Sequence, residues 1–267
     1  YAWIGYPILL ALLAGLAGRR VRTNEHAPTA PAGLPYVSVI LAAYNEETVI
    51  AERVRNLQSI DYPPERLRVL IGTDGCTDAT ADIARSTSEG DSRIQIMEFS
   101  ENRGKVAVLK DLVARATGPD NATPAEDSVL AFTDANTMFA KDAIRRLVGH
   151  FANPRIGGVC GRLVFADAAQ CGALNDIPPP ENPAEEGAYW RLETKLKTWE
   201  SALDSCLGAN GAIYAIRPQL FWRAIPSNTV VDDFVIGMKV REQGYRMLYD
   251  RSAVATEELP ELGDEWA

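Results

Sequence analysis

The chain of 267 residues contains only two histidines, His26 and His150. That leaves little for His-rich metal sites or Ser-His-Asp chemistry, so acid–base work falls to carboxylates. A basic surplus is also missing. Lys and Arg number 27 against 36 Asp and Glu, a net charge of −9, which argues against a broad nucleic-acid footprint. The four cysteines, Cys76, Cys160, Cys171 and Cys206, form no Cys-x-x-Cys pair. A zinc ribbon or thioredoxin-type motif is therefore not expected, and reduced thiols in a reducing compartment are. There is no Gly-x-Gly-x-x-Gly for a dinucleotide turn. Gly104-Lys105 is followed by Val106, and position 99 is Phe rather than Gly, which excludes a Walker A loop. Hydrophobic residues at 46% and charged residues at 24% exclude disordered and low-complexity classes. The length suits one large α/β domain or two small ones.

Charge is absent altogether from residues 1–18, YAWIGYPILLALLAGLAG. This run sits at the lower limit for a transmembrane helix. Arg19, Arg20 and Arg22 follow it at once, a positive flank that stays cytoplasmic, whereas a signal peptide carries its charge before the apolar run. An anchor is expected here, with a buried core helix as the alternative. The chain begins with Tyr rather than Met, as a piece of a longer protein would. Residues 19–35, rich in Pro, Ala and polar residues, read as a linker.

Beyond the linker, apolar runs bounded by turn residues at 36–42, 67–72, 94–99 and 128–133 read as buried strands. Val49, Ile50, Val54 and Leu57 share a helical face, as do Ala143, Ile144, Leu147, Val148 and Phe151. Alternating strands and helices predict a mostly parallel sheet with right-handed crossovers. The second half is less regular. It reads as a strand at 156–166, a polar Pro-rich loop at 167–186, a helix at 187–204, a strand at 211–216, a helix at 233–243 and a strand at 245–250. A loop as long as 167–186 is usually functional or mobile. Asn121-Ala122-Thr123 is a formal glycosylation sequon without meaning on a cytoplasmic domain.

In open α/β sheets, ligands bind beyond the carboxyl ends of the strands. All four expected strand ends here carry polar residues: Ala43-Tyr44-Asn45-Glu46-Glu47, Thr73-Asp74-Gly75-Cys76-Thr77-Asp78, Asn102-Arg103-Gly104-Lys105 and Thr133-Asp134-Ala135-Asn136-Thr137. Together they suit an anionic, hydrogen-bonding ligand. Asp134 and Asn136, two apart at a strand end, form the natural pair for Mg²⁺ or Mn²⁺. From spacing alone, Asp134 serves equally well as a cap for a helix starting near Phe139. Asp232-Asp233 likewise reads first as a helix cap suited to the dipole.

The series AAYNEE, TDGCTD, NRGK, TDAN, GANGAIYAIRP and VVDDF, in this order and spacing, resembles the family 2 glycosyltransferases with a GT-A fold. The likeness points to the membrane-bound, processive-type branch similar to cellulose, hyaluronan and poly-N-acetylglucosamine synthases, and it covers residues 36–257. It implies a Rossmann-like, mostly parallel sheet flanked by helices, preceded by the N-terminal transmembrane helix. It also implies roles. Ala43 and Tyr44 border base and ribose, Glu46 contacts the nucleotide, Asp74 hydrogen-bonds the uracil edge and Lys105 lies by the diphosphate. Asp134 and Asn136 bind the metal; Asn136 departs from the usual Asp, and Thr73 stands where relatives often carry another Asp. Asp233 is the general base, with Asp232 raising its pKa by like-charge repulsion. Asn210 and Gly211 lie at the acceptor floor, where glycine lets a sugar approach the backbone. Trp190, with Tyr189 and Trp199 nearby, offers a stacking platform; core packing is the alternative.

The expectation is an inverting, metal-dependent hexosyltransferase. It would move sugar from a UDP-sugar to a polysaccharide or lipid-linked acceptor at the cytoplasmic face of the plasma membrane. The Gln-x-x-Arg-Trp segment of processive synthases does not occur in this chain, which stops at Asp264-Glu265-Trp266-Ala267. Residues 258–267 read as a truncated C-terminal segment, and processivity is not implied. Two rivals remain at this point. A nucleotidyltransferase would want a Gly-rich, basic first loop where Asn45-Glu46-Glu47 stands. A non-catalytic nucleotide-sugar-binding module of a membrane complex would tolerate Asn136.

Overall fold

The computed structural model describes residues 2–17, 33–118, 127–166, 188–223 and 225–258. Most of the linker, the sequon, the 167–186 loop and the segment 259–267 lie outside the described residues, as does Cys171. Apolar residues alternate along the strands and so point to opposite faces of one sheet. Among the described residues they form eight strands: β1 (Tyr36–Ala43), β2 (Leu67–Asp74), β3 (Ile94–Phe99), β4 (Ser128–Thr133), β5 (Met138–Phe139), β6 (Ile156–Ala166), β7 (Tyr214–Ile216) and β8 (Arg246–Glu258). Their order across the sheet is β3-β2-β1-β4-β7-β6-β8-β5. The pairs β3–β2, β2–β1, β1–β4 and β6–β8 are parallel, whereas β4–β7, β7–β6 and β8–β5 are antiparallel.

The helices are α1 (Ala2–Ala17), α2 (Ile50–Gln58), α3 (Thr80–Thr87), α4 (Lys105–Thr117), α5 (Ala143–Gly149), α6 (Ala188–Leu203) and α7 (Asp232–Glu242). One face of the sheet packs Val39, Leu41, Val69 and Ile71 against Ile50, Val54 and Leu57 of α2, Ala84 of α3, and Ile144 and Leu147 of α5. The other packs Ile40, Leu70, Leu130 and Phe132 against Val108 and Leu112 of α4, and Ile236 and Val240 of α7. Both helical faces read from periodicity are buried as expected, Val49 only in part. The chain runs from β1 to β3 over one face, then α4 returns it over the other to β4. The winding thus reverses between β1 and β4, where a doubly wound sheet opens its ligand crevice.

Three expectations change. The strand after residue 245 runs to Glu258 rather than 250, because it pairs along β6 as far as Ala166 and also carries β5. Residues 138–139 form a short strand rather than starting a helix, which begins only at Ala143. The N-terminal segment is helical for 16 residues, a rise of about 24 Å against a bilayer core of about 30 Å. No helix of the described residues is long and apolar enough to cross a membrane, so the expected transmembrane helix is not borne out. Helix α1 lies against α6, and the Tyr6 hydroxyl donates to Glu200 at 2.6 Å.

Candidate functional site: four strand ends and one helix start

The end of β1 is shaped by Asn45, which adopts a left-handed backbone (φ 55°) that Asn tolerates through local hydrogen bonding. Its side chain reaches the next strand's turn, accepting from Thr77 N at 2.9 Å and donating to Thr77 Oγ1 at 3.2 Å. Glu46 N donates to Thr80 Oγ1 at 2.7 Å, and Glu47 exchanges contacts with Asp78 and Ala79. The turns after β1 and β2 are therefore one unit. It holds Ala43 buried, Tyr44 exposed and Glu46 half-buried at the crevice. Burial, then the charges of Asp134 and Asp78, lifts the Glu46 carboxyl above the ordinary glutamate range.

Asp74 ends β2 and is almost wholly buried. Its Oδ1 accepts from Arg103 N at 2.9 Å and its Oδ2 from Gly104 N at 2.8 Å. The carboxylate thus clamps the Asn102-Arg103-Gly104-Lys105 loop, a contact that sequence reasoning did not foresee. Gly75 is obligatory beside it. Its φ is 63°, and a Cβ there would sit 2.3 Å from Asn102 N. Gly104, with φ 86°, turns the chain into α4, so that Lys105 starts the helix inside the crevice.

Lys105 is the hub. Its Nζ donates to Asp134 Oδ1 at 2.6 Å and lies 3.9 Å from Asp232 Oδ1. Burial works against its charge, but Asp134, Asp232 and Asp233 outweigh this and hold it above the ordinary lysine range. Asp134 follows β4 and keeps about a third of its side chain exposed. Asn136 stands exposed two residues on. Neither caps a helix, since Asp142 occupies the position before α5.

Asp232 and Asp233 open α7 from its first turn. The residue at the cap is Val231, so the capping role is not theirs, although the dipole there still favours negative charge. Asp232 is buried; desolvation raises its pKa, Lys105 lowers it, and Asp233 and Asp134 raise it further, leaving it above the ordinary aspartate range. Asp233 lies over Gly211, where a Cβ would sit 3.1 Å from its Oδ2. Gly211 and the half-buried Asn210 belong to the turn that closes through Ile213 N to Asn210 O at 3.0 Å. Glycine at 211 gives the carboxylate its place. Trp190 packs on Phe165 with ring centroids 4.8 Å apart.

Three further residues frame the site. Arg53 of α2 is fully buried; burial pulls its pKa down to about 9 against the opposing charges of Asp134 and Glu257. Glu257, near the end of β8, accepts from Thr137 Oγ1 at 2.5 Å. Its pKa is raised by burial and by Asp134, against the Thr137 hydrogen bond, Lys105 and Arg53. Tyr214 stacks on Phe132 with centroids 4.8 Å apart. Its hydroxyl has no partner among the described residues, and burial with Asp232, Asp233 and Asp134 suppresses its ionisation. The signal for Arg53 was present in the sequence as a lone charge on the stripe Ile50, Val54, Leu57. Glu257 and Tyr214 carried none, because strand pairing over more than 80 residues brings them in.

The donor set is made of oxygens. Asp134 and Asn136 fit a hard divalent cation that keeps other positions for water and phosphate oxygens. No group of three His, Cys, Asp or Glu gathers as a metal cluster among the described residues.

Residues 38–172 match the model of glycosyl transferase family 2. The chain is 29% identical over 180 residues to a beta-monoglucosyldiacylglycerol synthase of Synechocystis sp., covering 62% of this chain and 36% of that one. It is 25% identical over 234 residues to a poly-beta-1,6-N-acetyl-D-glucosamine synthase of Staphylococcus aureus, covering 86% and 52%. It thus spans between a third and about half of the length of these relatives. A mannosyltransferase of Pyrobaculum calidifontis, solved with GDP-Man and Mn²⁺, superimposes with a TM-score of 0.71 at 24% identity, covering 95% of this chain and 66% of that one; this likeness speaks to the fold. With the motif series in register at the crevice, the chain belongs to glycosyl transferase family 2 and has a GT-A-like α/β fold.

Proposed function

We propose that the protein transfers a hexose from a UDP-sugar, with inversion, to a polysaccharide or lipid-linked acceptor. The observation that carries this reading is the run Lys105–Asp134–Asp232, with Asp233 beside it over Gly211. One end of that run suits a diphosphate and the other an acceptor hydroxyl. The turn Ala43-Tyr44-Asn45-Glu46 receives the nucleoside. Asp74 acts on the nucleotide through the loop it clamps, with its assigned contact to the uracil edge as the finer expectation. Lys105 releases Asp134 and turns to the diphosphate, where its charge stabilises the leaving group. A divalent cation held by Asp134 and Asn136, Mg²⁺ or Mn²⁺, would neutralise diphosphate charge when bound.

Asp233 takes the proton of the acceptor hydroxyl as that oxygen attacks the anomeric carbon. The bond from that carbon to the diphosphate oxygen breaks on the opposite side, and the nucleoside diphosphate departs. Asn210 and Gly211 position the acceptor, and Trp190 extends its platform outward from the floor. Positioning and charge do most of the work.

We place the domain on the cytoplasmic face of the plasma membrane and in the membrane-bound branch of the family. Support comes from the charge-free residues 1–18, the basic Arg19, Arg20 and Arg22 that follow, and the lipid and polysaccharide synthases among its relatives.

The test is nucleoside diphosphate release from a panel of UDP- and GDP-sugars, with Mn²⁺, Mg²⁺ or chelator. Metal-dependent release from one UDP-sugar, lost in Asp134→Ala, supports the reading and names the donor. Release from GDP-sugars alone contradicts the assigned base preference. No nucleotide binding with either metal contradicts the roles of Glu46, Asp74 and Asp134.

A further inference from the structure

Arg53 is the largest fully buried side chain among the described residues. Its Nη1 donates to Asn56 Oδ1 at 2.6 Å and its Nη2 to Thr133 Oγ1 at 2.7 Å, and its guanidinium lies 4.5 Å from the centroid of the Phe139 ring. No carboxylate is within ion-pair distance among the described residues. The nearest opposing charges are Asp134 and Glu257, felt across the end of β4. A buried cation without a contacting acid weakens a fold, and an apolar residue of similar volume generally serves stability better.

The hydrogen bonds do not require the arginine either. Asn56 Oδ1 already accepts from Phe139 N at 2.9 Å, and Thr133 Oγ1 already donates to Ala212 O at 2.9 Å. Removing the guanidinium leaves both groups partnered. What Arg53 adds is a fixed link. It ties α2 to Thr133, the residue before Asp134, and through Thr133 to Ala212, the residue after Gly211. One side chain thus sets the spacing between the cation-binding strand end and the acceptor floor.

We propose that Arg53 is a positioning residue: by holding Thr133 it fixes Asp134 relative to Gly211 and Asp233 for cation binding and sugar transfer. This rests on the function proposed above. Residues that orient metal ligands from behind typically contribute about 10–100-fold in metal affinity.

The test compares wild type, Arg53→Lys and Arg53→Met in the whole chain. It reads Mn²⁺ affinity by paramagnetic resonance of the free ion, kcat and KM for donor hydrolysis, and folding by near-ultraviolet circular dichroism. Arg53→Lys keeps the charge but cannot span Asn56 and Thr133 together, so about tenfold weaker Mn²⁺ binding is expected. Its kcat should fall by a larger factor than its KM rises. Arg53→Met should also bind Mn²⁺ more weakly, although loss of a cation alone would strengthen binding. If Arg53→Met fails to fold, Arg53→Lys and Arg53→Gln decide. Wild-type Mn²⁺ affinity in folded Arg53→Lys overturns the proposal, as does tighter binding in Arg53→Met beside an unchanged Arg53→Lys. Wild type that binds no Mn²⁺ overturns the functional reading as well, so the two failures are distinguishable.

Discussion

The two halves of the sheet are built differently. On the β3-β2-β1-β4 side every pairing is parallel, and each strand ends in its own short turn that faces the crevice. Glu46, Asp74, Lys105 and Asp134 all lie within a few residues of a strand end. On the β7-β6-β8-β5 side the pairings are mixed, and the working groups arrive from far apart. Asp233 stands over Gly211 only because α7 packs there, and Glu257 reaches the site only because β8 runs beside β6. The first half is a holder assembled locally. The second is a floor assembled by tertiary packing, and the proposed chemistry is placed on it. Lys105, between Asp134 and Asp232, joins the two.

If that division holds, the floor can be damaged without harm to the holder. The largest expected effect is Asp233→Asn. Loss of a positioned general base costs about 10²–10⁴-fold, so kcat for transfer should fall by about that factor. Donor KM should barely move in steady-state assays. Gly211→Ala should do the same more gently. Its new methyl would meet Asp233 Oδ2 at 3.1 Å, and a displaced base costs about tenfold or more. Melting temperature should stay close to wild type in thermal scans.

The holder should respond in the opposite way. Asp74→Asn leaves one of two clamped backbone N–H groups, Arg103 or Gly104, facing an amide donor, a loss of about 1–3 kcal/mol for a buried group. Chemical denaturation should show that loss, and donor KM should rise about tenfold as Lys105 loosens, with kcat less affected. The smallest effect concerns pH. Burial, with Asp233 and Asp134 and against Lys105, holds the Asp232 carboxyl above its ordinary 3.8. The folded protein therefore keeps that proton more tightly than the unfolded chain. The stabilisation is full below 3.8 and is lost as pH rises through the folded value. Asp232→Asn should raise the melting temperature at pH 7, on the order of 1–3 °C, and by less at pH 4.

The same division explains what was legible in the sequence. The holder is local: apolar runs gave β1 to β4, and the polar turns after them marked Glu46, Asp74, Lys105 and Asp134. Even so, the clamp by Asp74 was hidden, because nothing in Thr73-Asp74-Gly75 says which backbone amides its oxygens meet. The floor was legible only where a motif is contiguous, as in Val231-Asp232-Asp233-Phe234. The short strand β5, the full length of β8 and the places of Tyr214 and Glu257 depend on pairings between distant segments. A window of a dozen residues cannot encode those pairings. Helix α1 is the converse case. Its composition resembles a membrane span, but its 16 described helical residues fall short of one, and they pack against α6, a contact the sequence did not announce.

The most direct test is calorimetric titration of UDP with Mn²⁺ into wild type, Asp134→Ala and Asp233→Asn. The expected result is wild-type affinity in Asp233→Asn, at least tenfold weaker binding in Asp134→Ala, and sugar transfer abolished in both. Equal loss of affinity in the two variants would mean that holder and floor are not separate, and would contradict the assignment of donor binding to one and proton abstraction to the other.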